Sequence, residues 1–468
     1  MIGLARLGGP VACLGLALLL LASSRRDRLA GLGFAGLGAC MLAAALAPHD
    51  VAEAVIGSLA ALAVGAALAC VPVRVGALGH QLLVPLYVVA LGAAIQLAWE
   101  LANGDVRPHE LRRVATPLAL LVAWTGLSMG WTRDVHEGAV ELLAFYLPLT
   151  VLAIAVARLP WSRLGLWALY AELTTMALVF AVVGFYQYET RNVFENPKVI
   201  LSNTYASFFR VNSLFWDPSV YGRFLVVAMV PSIVLVARGR SLRLAWAAAA
   251  ALVVVWLGLL ISFSQSSFAA LLVVAVAIAI VAWRWRALVA VALAAAVLGG
   301  VAAAQPQIRR SLQHHTSSGL NSATSARSSL VANGVRIAAA HPVRGVGIGG
   351  FKRAYAARVK RLHGKKNLSS AASHDTPVTV VAETGLPGLL LFAWLLWELF
   401  GQTFRSRRLV SLVAGLGLAA ILCHSLFYND FFEDPTTWLL LGLAAFALPP
   451  PVVAPPPPAV EEREMVVA

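Results

Sequence analysis

The sequence predicts an all-α polytopic membrane protein with about 12–14 transmembrane helices and one large, basic, partly helical extracytoplasmic loop. Its composition is the first reason: 60% of the residues are hydrophobic, 12% are charged, and the mean hydropathy is +0.79. Soluble domains carry about 25% charged residues. The second reason is that the apolar runs are long, unbroken and rich in Leu, Ala and Val, whereas a membrane barrel needs alternating strands. The third is the run from Gln305 to His374, which has twelve Lys or Arg and no Asp or Glu.

The candidate spans follow from a length of about 20 apolar residues per membrane crossing. Val11–Ala22 belongs to a span rather than to a signal peptide, because arginines follow it and no small-residue cleavage site is evident. Two long breaks, 188–218 and 305–384, interrupt the series. The candidate spans are 9–23, 29–48, 52–73, 82–100, 115–130, 138–157, 164–187, 219–237, 244–262, 266–283, 287–304, 385–401, 409–427 and 436–449.

The spans and breaks divide the chain into five regions. A proline-rich run closes the chain, and it can be neither helix nor strand interior. The regions are 1–187, N-terminal spans; 188–304, spans with outer-face segments; 305–384, the basic loop; 385–448, C-terminal spans; and 449–468, a disordered cytoplasmic tail.

Charge in the short loops orients the chain, because arginines favour the cytoplasmic side. Both long breaks then lie on the outer face, together with the acidic loop Asn429–Asp434. The basic loop breaks the rule, which is permitted because long loops cross largely regardless of charge. The parity of spans before Arg107 does not fit this scheme. The orienting arginines are Arg107, Arg112, Arg113, Arg158, Arg163, Arg238, Arg240, Arg243, Arg284, Arg286, Arg405, Arg407 and Arg408.

The basic loop indicates a polyanionic partner, since a stretch without carboxylates suits a pyrophosphate or an anionic lipid surface. Within it, Lys352–Lys366 is predicted to form an amphipathic helix on lipid headgroups, with diphosphate capture as the alternative. Tryptophans near span ends are interpreted as interfacial anchors. These are Trp124, Trp131, Trp161, Trp216 and Trp438.

The residues that could carry chemistry follow one another in the second half of the chain. Arg210 precedes Asp217-Pro218, and Ser264-Gln265-Ser266 interrupts two spans. His341-Pro342 is followed by spaced glycines, and Ser373-His374-Asp375 leads into Glu383-Thr384-Gly385. From roughly Gly184 to Leu441 these pieces, their order and their spacing resemble the O-antigen ligase and O-antigen polymerase superfamily of bacterial membrane glycosyltransferases.

The resemblance implies a reaction on the periplasmic face of the bacterial inner membrane. The donor is a glycan on undecaprenyl diphosphate, and the acceptor hydroxyl belongs to lipid A-core in ligases or to a second lipid-linked glycan in polymerases. A single displacement inverts the anomeric carbon. No nucleotide sugar, metal or other cofactor is implied, and no nucleic acid partner is expected.

His374 matches the catalytic histidine of the superfamily and could take the proton of the acceptor hydroxyl. Arg210 matches an arginine placed where diphosphate charge develops. Arg223, inside the next span, is a further substrate-binding candidate, against a simple snorkelling role. Asp375 could orient His374, although relatives often carry Asn at this position.

One departure concerns Gln265, which stands where many relatives carry an arginine. Gln265 can hydrogen-bond a phosphate but cannot neutralise it, so Arg327, Arg336 or Arg344 would have to supply the charge. His341 and the glycines after it are interpreted as a turn that docks the loop onto the membrane domain. A phosphate cradle made by the glycine N–H groups is the alternative.

Two other classes of function remain open. A transporter or flippase of lipid-linked sugars or anions should place ionisable residues near the bilayer midplane, where Glu141 and Glu172 are the main examples. A membrane scaffold would leave His374 unexplained. The four cysteines lie far apart in apolar segments and form neither a zinc site nor a disulfide framework. Nothing in the sequence separates ligase from polymerase.

Overall fold

A computed structural model describes residues 9–17, 74–77, 80–107, 110–159, 161–194, 196–205, 208–239, 241–283, 327–363, 373–406 and 408–446. The predicted spans 29–48, 52–73 and 287–304, and the proline-rich tail, lie outside the described residues.

The described elements are almost all helices, so the predicted all-α class is confirmed. The exception among them is a short antiparallel hairpin, Arg74–Ala77 (β1) with His80–Leu83 (β2). The helices are α1 (9–17), α2 (Val84–Ala102), α3 (Ala115–Leu127), α4 (Val135–Arg158), α5 (Arg163–Thr190), α6 (Pro197–Tyr205), α7 (Pro218–Arg238), α8 (Leu242–Ser262), α9 (Gln265–Trp283), α10 (Arg327–Ala340), α11 (Phe351–His363), α12 (Thr376–Arg405), α13 (Leu409–Ser425) and α14 (Pro435–Phe446).

Five of these helices are long and apolar enough to cross a membrane: α4, α5, α7, α8 and α12. Shorter apolar segments lie in α2, α9, α10, α13 and α14. Most predicted spans coincide with helices to within about four residues, as expected for hydropathy-based boundaries. The total of 12–14 spans stays a prediction, because several of the predicted segments fall outside the described part of the chain.

Two bundles share helix α13. The first buries side chains of α1–α4, α12 and α14 around Trp438 and Phe392, and the second buries side chains of α5 and α7–α9 around Tyr221. Different faces of α13 pack into the two bundles: Leu418 lies in the first bundle and Leu416 in the second. This shared helix fixes one bundle relative to the other.

Helix α12 is two helices joined at a kink. Gly385 has φ 72° and ψ −172°, values outside the helical region, and Pro387 follows. The backbone groups released there pair with the preceding loop: the N–H of Leu386 donates to Pro342 (2.7 Å), and the N–H groups of Val346 and Gly347 donate to Ala382 and Glu383. A broken helix at membrane depth requires such internal partners. The segment Glu383-Thr384-Gly385 therefore separates a short first helix from the longer, apolar second part of α12.

The described part of the basic loop forms a small helical layer. Helix α11 has the predicted amphipathic pattern, but its apolar residues Phe351, Tyr355 and Val359 are buried against Ile337 of α10 and Ala382 of α12. The interpretation of this apolar face as a lipid contact is wrong, because protein already covers it. Two ion pairs pin the other side of α11 to the start of α4, Lys352 with Glu137 and Arg353 with Asp134 (2.9 Å).

Candidate active site

The candidate catalytic segments meet at one end of the two bundles, called here the site end. The starts of α7, α9, α12 and α14 lie there, together with the ends of α5, α8 and α13. The opposite end carries the predicted cytoplasmic arginines of these helices, such as Arg238, Arg243 and Arg405. Antiparallel packing of the neighbouring helices produces this segregation.

His374 lies immediately before α12 in an unusual backbone conformation, with φ 57° in the left-handed region. Neighbouring side chains hold the turn. The carboxylate of Asp375 accepts from the N–H of Val378 (2.9 Å) and caps the helix, while Ser373 Oγ accepts from the N–H of Asp375 (3.1 Å). Burial raises the pKa of Asp375, and the hydrogen bond from Val378 opposes that shift. Asp375 therefore uses this carboxylate oxygen, Oδ1, to hydrogen-bond the backbone at the start of α12.

Tyr428 connects His374 with the start of α7. The rings of His374 and Tyr428 meet edge to face, with centroids 5.7 Å apart, and the Tyr428 hydroxyl donates to the carboxylate of Asp217 (3.2 Å). His424 stacks on the other side of Tyr428, at 5.2 Å between centroids. Because Asp217 is also the N-cap of α7, one tyrosine ties three segments of the site together.

Arg223 lies one and a half turns into α7 and is 8% exposed. Its guanidinium pairs with Asp430 and with Asp434 (2.8 Å), both on the loop between α13 and α14. A diphosphate would have to compete with two carboxylates for this cation. The structure thus places Arg223 where it anchors the loop that carries Tyr428.

Arg210 is half-buried beside the serine-rich break between α8 and α9. Its Nε donates to the carbonyl of Ser262 (3.2 Å), and Asn203 holds its backbone on both sides. Ser264, Ser266 and Ser267 form a hydroxyl cluster that reaches the backbone of Ser219 in α7 (3.4 Å). These contacts bring Arg210 and the serine break to the same side of α7 as Asp217.

Gln265 is exposed and begins α9, directly after the serine hydroxyls. A helix start presents free N–H groups to an anion, and Gln265 adds a neutral donor at that point. Exposed aromatic and aliphatic side chains surround this part of the site end. They are Ile200, Leu201, Tyr205, Phe208, Trp216 and Phe263.

The segment His341–Gly350, called here the docking loop, fits against the corner between α3 and α4. Thr132 Oγ1 donates to the Ile348 carbonyl (2.8 Å), the N–H of Ile348 donates to Ser128 Oγ (2.9 Å), and Trp131 Nε1 donates to the Arg344 carbonyl (2.9 Å). The prediction of a turn that docks onto the membrane domain is confirmed. The glycines allow this approach, since Gly347 has φ 86° and lies against the backbone of Thr132.

A carboxylate of the protein itself occupies the anion position beside the glycines. Glu383 is buried, and its Oε1 accepts from the N–H of Phe351 (3.1 Å) at the start of α11. The N–H of Gly347 is used by the Glu383 carbonyl (2.8 Å). Both N–H groups are therefore already bonded to Glu383. A phosphate cradle, the alternative interpretation, would need such groups to be free.

The remaining predicted residues lie in the loop layer. His341 and Arg344 are exposed on the docking loop, and Arg336 is exposed on α10. Arg327 begins α10, and its side chain lies outside the described atoms. His341 and Arg336 line one groove, whereas the contacts of His374 involve Tyr428 at the site end.

Comparison with known families adds one finding. Residues 250–393, about a third of the chain, match the O-antigen ligase family model. This match supports assignment to the O-antigen ligase and polymerase superfamily. The matched segment contains the serine break, the docking loop, His374 and Glu383, so it covers the end of α8, the supporting loop and the starts of α9 and α12. No curated protein matches the chain.

The O-antigen ligase match supports a role of that type in the assembly of a cell-surface glycan. The match and the apolar helices together indicate a bacterial membrane protein. Within the described residues, no group of three or more His, Cys, Asp or Glu is arranged to hold a metal ion.

Three carboxyl side chains border a small cavity near the start of α12. Glu141, Glu383 and Glu433 line it with Thr376 and Thr379, and its volume of ≈ 40 Å³ suits two or three water molecules. Glu433, on the loop after α13, has an accessible surface, yet desolvation of its carboxyl group raises its pKa to about 7, while Lys352 and Arg223 act in the opposite sense.

Sequence reasoning missed the residues that hold the site together. The available signal was the acidic loop, which the sequence predicts on the outer face; on or next to it lie Tyr428, His424, Asp430 and Asp434. The interfacial interpretation of the tryptophans is wrong for Trp438, which is fully buried. Trp124 and Trp131 donate to the carbonyls of Thr384 and Arg344.

Proposed function

We propose that this protein is a glycosyltransferase of the bacterial inner membrane that moves a glycan from undecaprenyl diphosphate to an acceptor hydroxyl on the periplasmic side. One observation carries the proposal: His374, a motif histidine within the O-antigen ligase match, lies at the end of the bundle where the serine break holds Arg210. The acceptor would be lipid A-core in a ligase, or a second lipid-linked glycan in a polymerase.

In the proposed reaction, the imidazole of His374 takes the proton of the acceptor hydroxyl as its oxygen attacks the anomeric carbon. The bond between that carbon and the diphosphate oxygen breaks, and its electron pair stays on the diphosphate. The proton held by His374 then passes to the leaving diphosphate or to water. A single displacement of this kind inverts the anomeric configuration and needs no metal.

Arg210 and Gln265 would receive the diphosphate. Arg210 supplies a permanent charge fixed by Ser262, and Gln265 supplies a neutral donor at the start of α9. The exposed apolar side chains around Phe208 and Phe263 would face the polyprenyl chain. Arg327, Arg336 and Arg344 remain proposed sources of the charge that Gln265 lacks.

The transporter alternative finds little support in the buried carboxyl groups. Glu141 and Glu383 border a shared cavity, but ≈ 40 Å³ is far too small for a sugar. A flippase would need a path that is continuous through the bundle.

The test uses purified protein in liposomes with an undecaprenyl-diphosphate-linked glycan, and the products are resolved on a gel. His374→Ala should lower transfer by about a hundredfold or more, because general base catalysis is worth that much. His136→Ala is the matched control, since His136 is an exposed histidine at the start of α4.

A product ladder that disappears with His374→Ala would identify a polymerase, whereas transfer only to added lipid A-core would identify a ligase. Equal turnover by wild type and His374→Ala would contradict the proposal. Donor flipping that ignores His374, without any transfer, would favour the transporter.

A further inference from the structure

A basic groove lies between α10, α11 and the corner that joins α3 to α4. Its volume is ≈ 460 Å³, which is within the range of about 300–1,000 Å³ that is typical of ligand pockets. Its charged and aromatic lining consists of Trp131, Arg133, Arg336, His341, Arg353 and Arg358. We infer that this groove binds an anionic segment of a glycan, a sugar that carries a carboxylate or a phosphate.

The lining of the groove is basic. Four arginines and His341 line it, and no lining residue among those that the structure describes is acidic. Arginine forks bind carboxylates and phosphates with two parallel hydrogen bonds. Asp134 already compensates Arg353, and a ligand with negative charge would compensate the arginines that remain.

Protein contacts hold part of this lining in place before any ligand arrives. Arg353 pairs with Asp134 (2.9 Å) and donates to the carbonyl of Arg133 (2.6 Å), and Arg358 donates to Asn333 (3.1 Å). The indole of Trp131 is fixed by its bond to Arg344 (2.9 Å). Such preorganisation reduces the cost of ordering side chains when a ligand binds.

The groove combines this charge with an apolar wall. Ile337 is nearly buried behind it, and small residues such as Ala340, Ala354 and Gly350 leave room beside Trp131. A flat apolar wall next to fixed cations suits the C–H face of a sugar ring whose acidic group reaches an arginine. A lone phosphate would leave most of the volume empty.

The groove is separate from the reacting centre but connected to it. Gly345 and Val346 line it, and the N–H of Val346 donates to Ala382 of α12 (2.9 Å). Ala382 is six residues after Thr376, which corresponds to about 9 Å along the helix from the start that follows His374. A glycan with its hydroxyl at His374 could therefore extend toward the groove, and remote contacts of this kind contribute binding energy to the reaction.

This inference rests on the proposed glycan transfer, but its test does not need turnover. The protein is placed in phosphatidylcholine nanodiscs without donor, and binding of a glucuronate-containing oligosaccharide is compared with binding of its neutral glucose analogue. The variant is Arg336→Gln with Arg358→Gln. The matched control is Arg243→Gln, an exposed arginine at the opposite end of the bundle.

The acidic oligosaccharide should bind more tightly than the neutral one. The double variant should bind the acidic oligosaccharide about a hundredfold more weakly, since each of the two lost charged hydrogen bonds is worth about tenfold. Arg243→Gln should bind like wild type. The inference would be overturned by equal binding of both sugars, by a double variant that binds normally, or by loss of sugar binding when nanodiscs that contain phosphatidylglycerol replace the phosphatidylcholine nanodiscs. Binding of the acidic oligosaccharide is also measured with His374→Ala. This variant should still bind the oligosaccharide in the groove, so the binding test does not depend on whether the proposed transfer occurs.

Discussion

At the scale of single residues, His374 shows how the site obtains its geometry. A non-glycine residue with positive φ costs about 1–3 kcal/mol and persists only when its surroundings impose it. Here the turn is imposed by the Asp375 cap, by Ser373 and by the ring of Tyr428. The start of α12, a rigid element, therefore fixes the backbone from which the His374 imidazole extends.

Asp375 could act as an N-cap of α12 or could orient the imidazole of His374, and substitutions at this position distinguish the two roles. If its carboxylate caps α12, Asp375→Asn should keep both stability and transfer, because Asn is an equally good N-cap. Asp375→Ala should lower the free energy of unfolding by about 1 kcal/mol. Thermal unfolding in detergent and transfer in liposomes measure the two effects.

The contrary outcome is equally specific. If Asp375 orients or charges the imidazole directly, Asp375→Asn would keep its melting temperature but lose most of its transfer. The cap assignment would then be incomplete, and the carboxylate would belong to the reacting machinery.

Sequence pattern predicted the motif residues but could not predict their partners. His374 and Arg210 follow from local motifs, whereas Tyr428 is more than fifty positions from His374 and belongs to no motif. Arg223 was expected at the donor because an arginine inside a span suggests function. Its pairing with Asp430 and Asp434 joins segments about two hundred residues apart, which only the tertiary fold specifies.

At the scale of elements, hydropathy located the helices because apolar length determines what can cross a bilayer. It missed the start of α12, which begins at Thr376 rather than near residue 385. The signal there is chemical: Asp375 is an N-cap and Pro377 follows in the first turn, and neither contributes to an apolar average. The loop fold of α10 and α11 likewise depends on contacts with α12 and α4.

The docking loop provides a prediction at this scale. Gly347→Ala should lower the free energy of unfolding by at least about 1 kcal/mol, because the residue has positive φ and an added Cβ would meet the backbone of Thr132. Gly401→Ala is the control, since it lies within α12 with open space at its Cβ position and Ala favours a helix. Thermal unfolding of both variants gives the comparison.

Transfer should fall with Gly347→Ala as well, because the same loop supports the kink of α12 through Val346 and Leu386. A Gly347→Ala protein with normal stability and normal transfer would mean that the docking loop adjusts freely, and the kink would need another support.

At the scale of the whole molecule, charge is distributed between the two ends of the bundle. Arg238, Arg243 and Arg405 lie at one end, and the site end carries Asp217 and the acidic loop beside Tyr428. The positive-inside rule predicts that the first end faces the cytoplasm. The basic loop layer attaches to the site end, where its Lys352 and Arg353 are paired with carboxylates of α4.

This arrangement predicts the sidedness of two exposed positions, Val343 on the docking loop and Arg243 at the start of α8. In a chain whose four native cysteines are replaced by alanine, Val343→Cys should react with a membrane-impermeant maleimide in cells with a permeable outer layer and an intact inner membrane. Arg243→Cys should react only after the inner membrane is opened, and the cysteine-free chain controls for background. The reverse pattern would place His374 on the cytoplasmic side, where a periplasmic acceptor could not reach it.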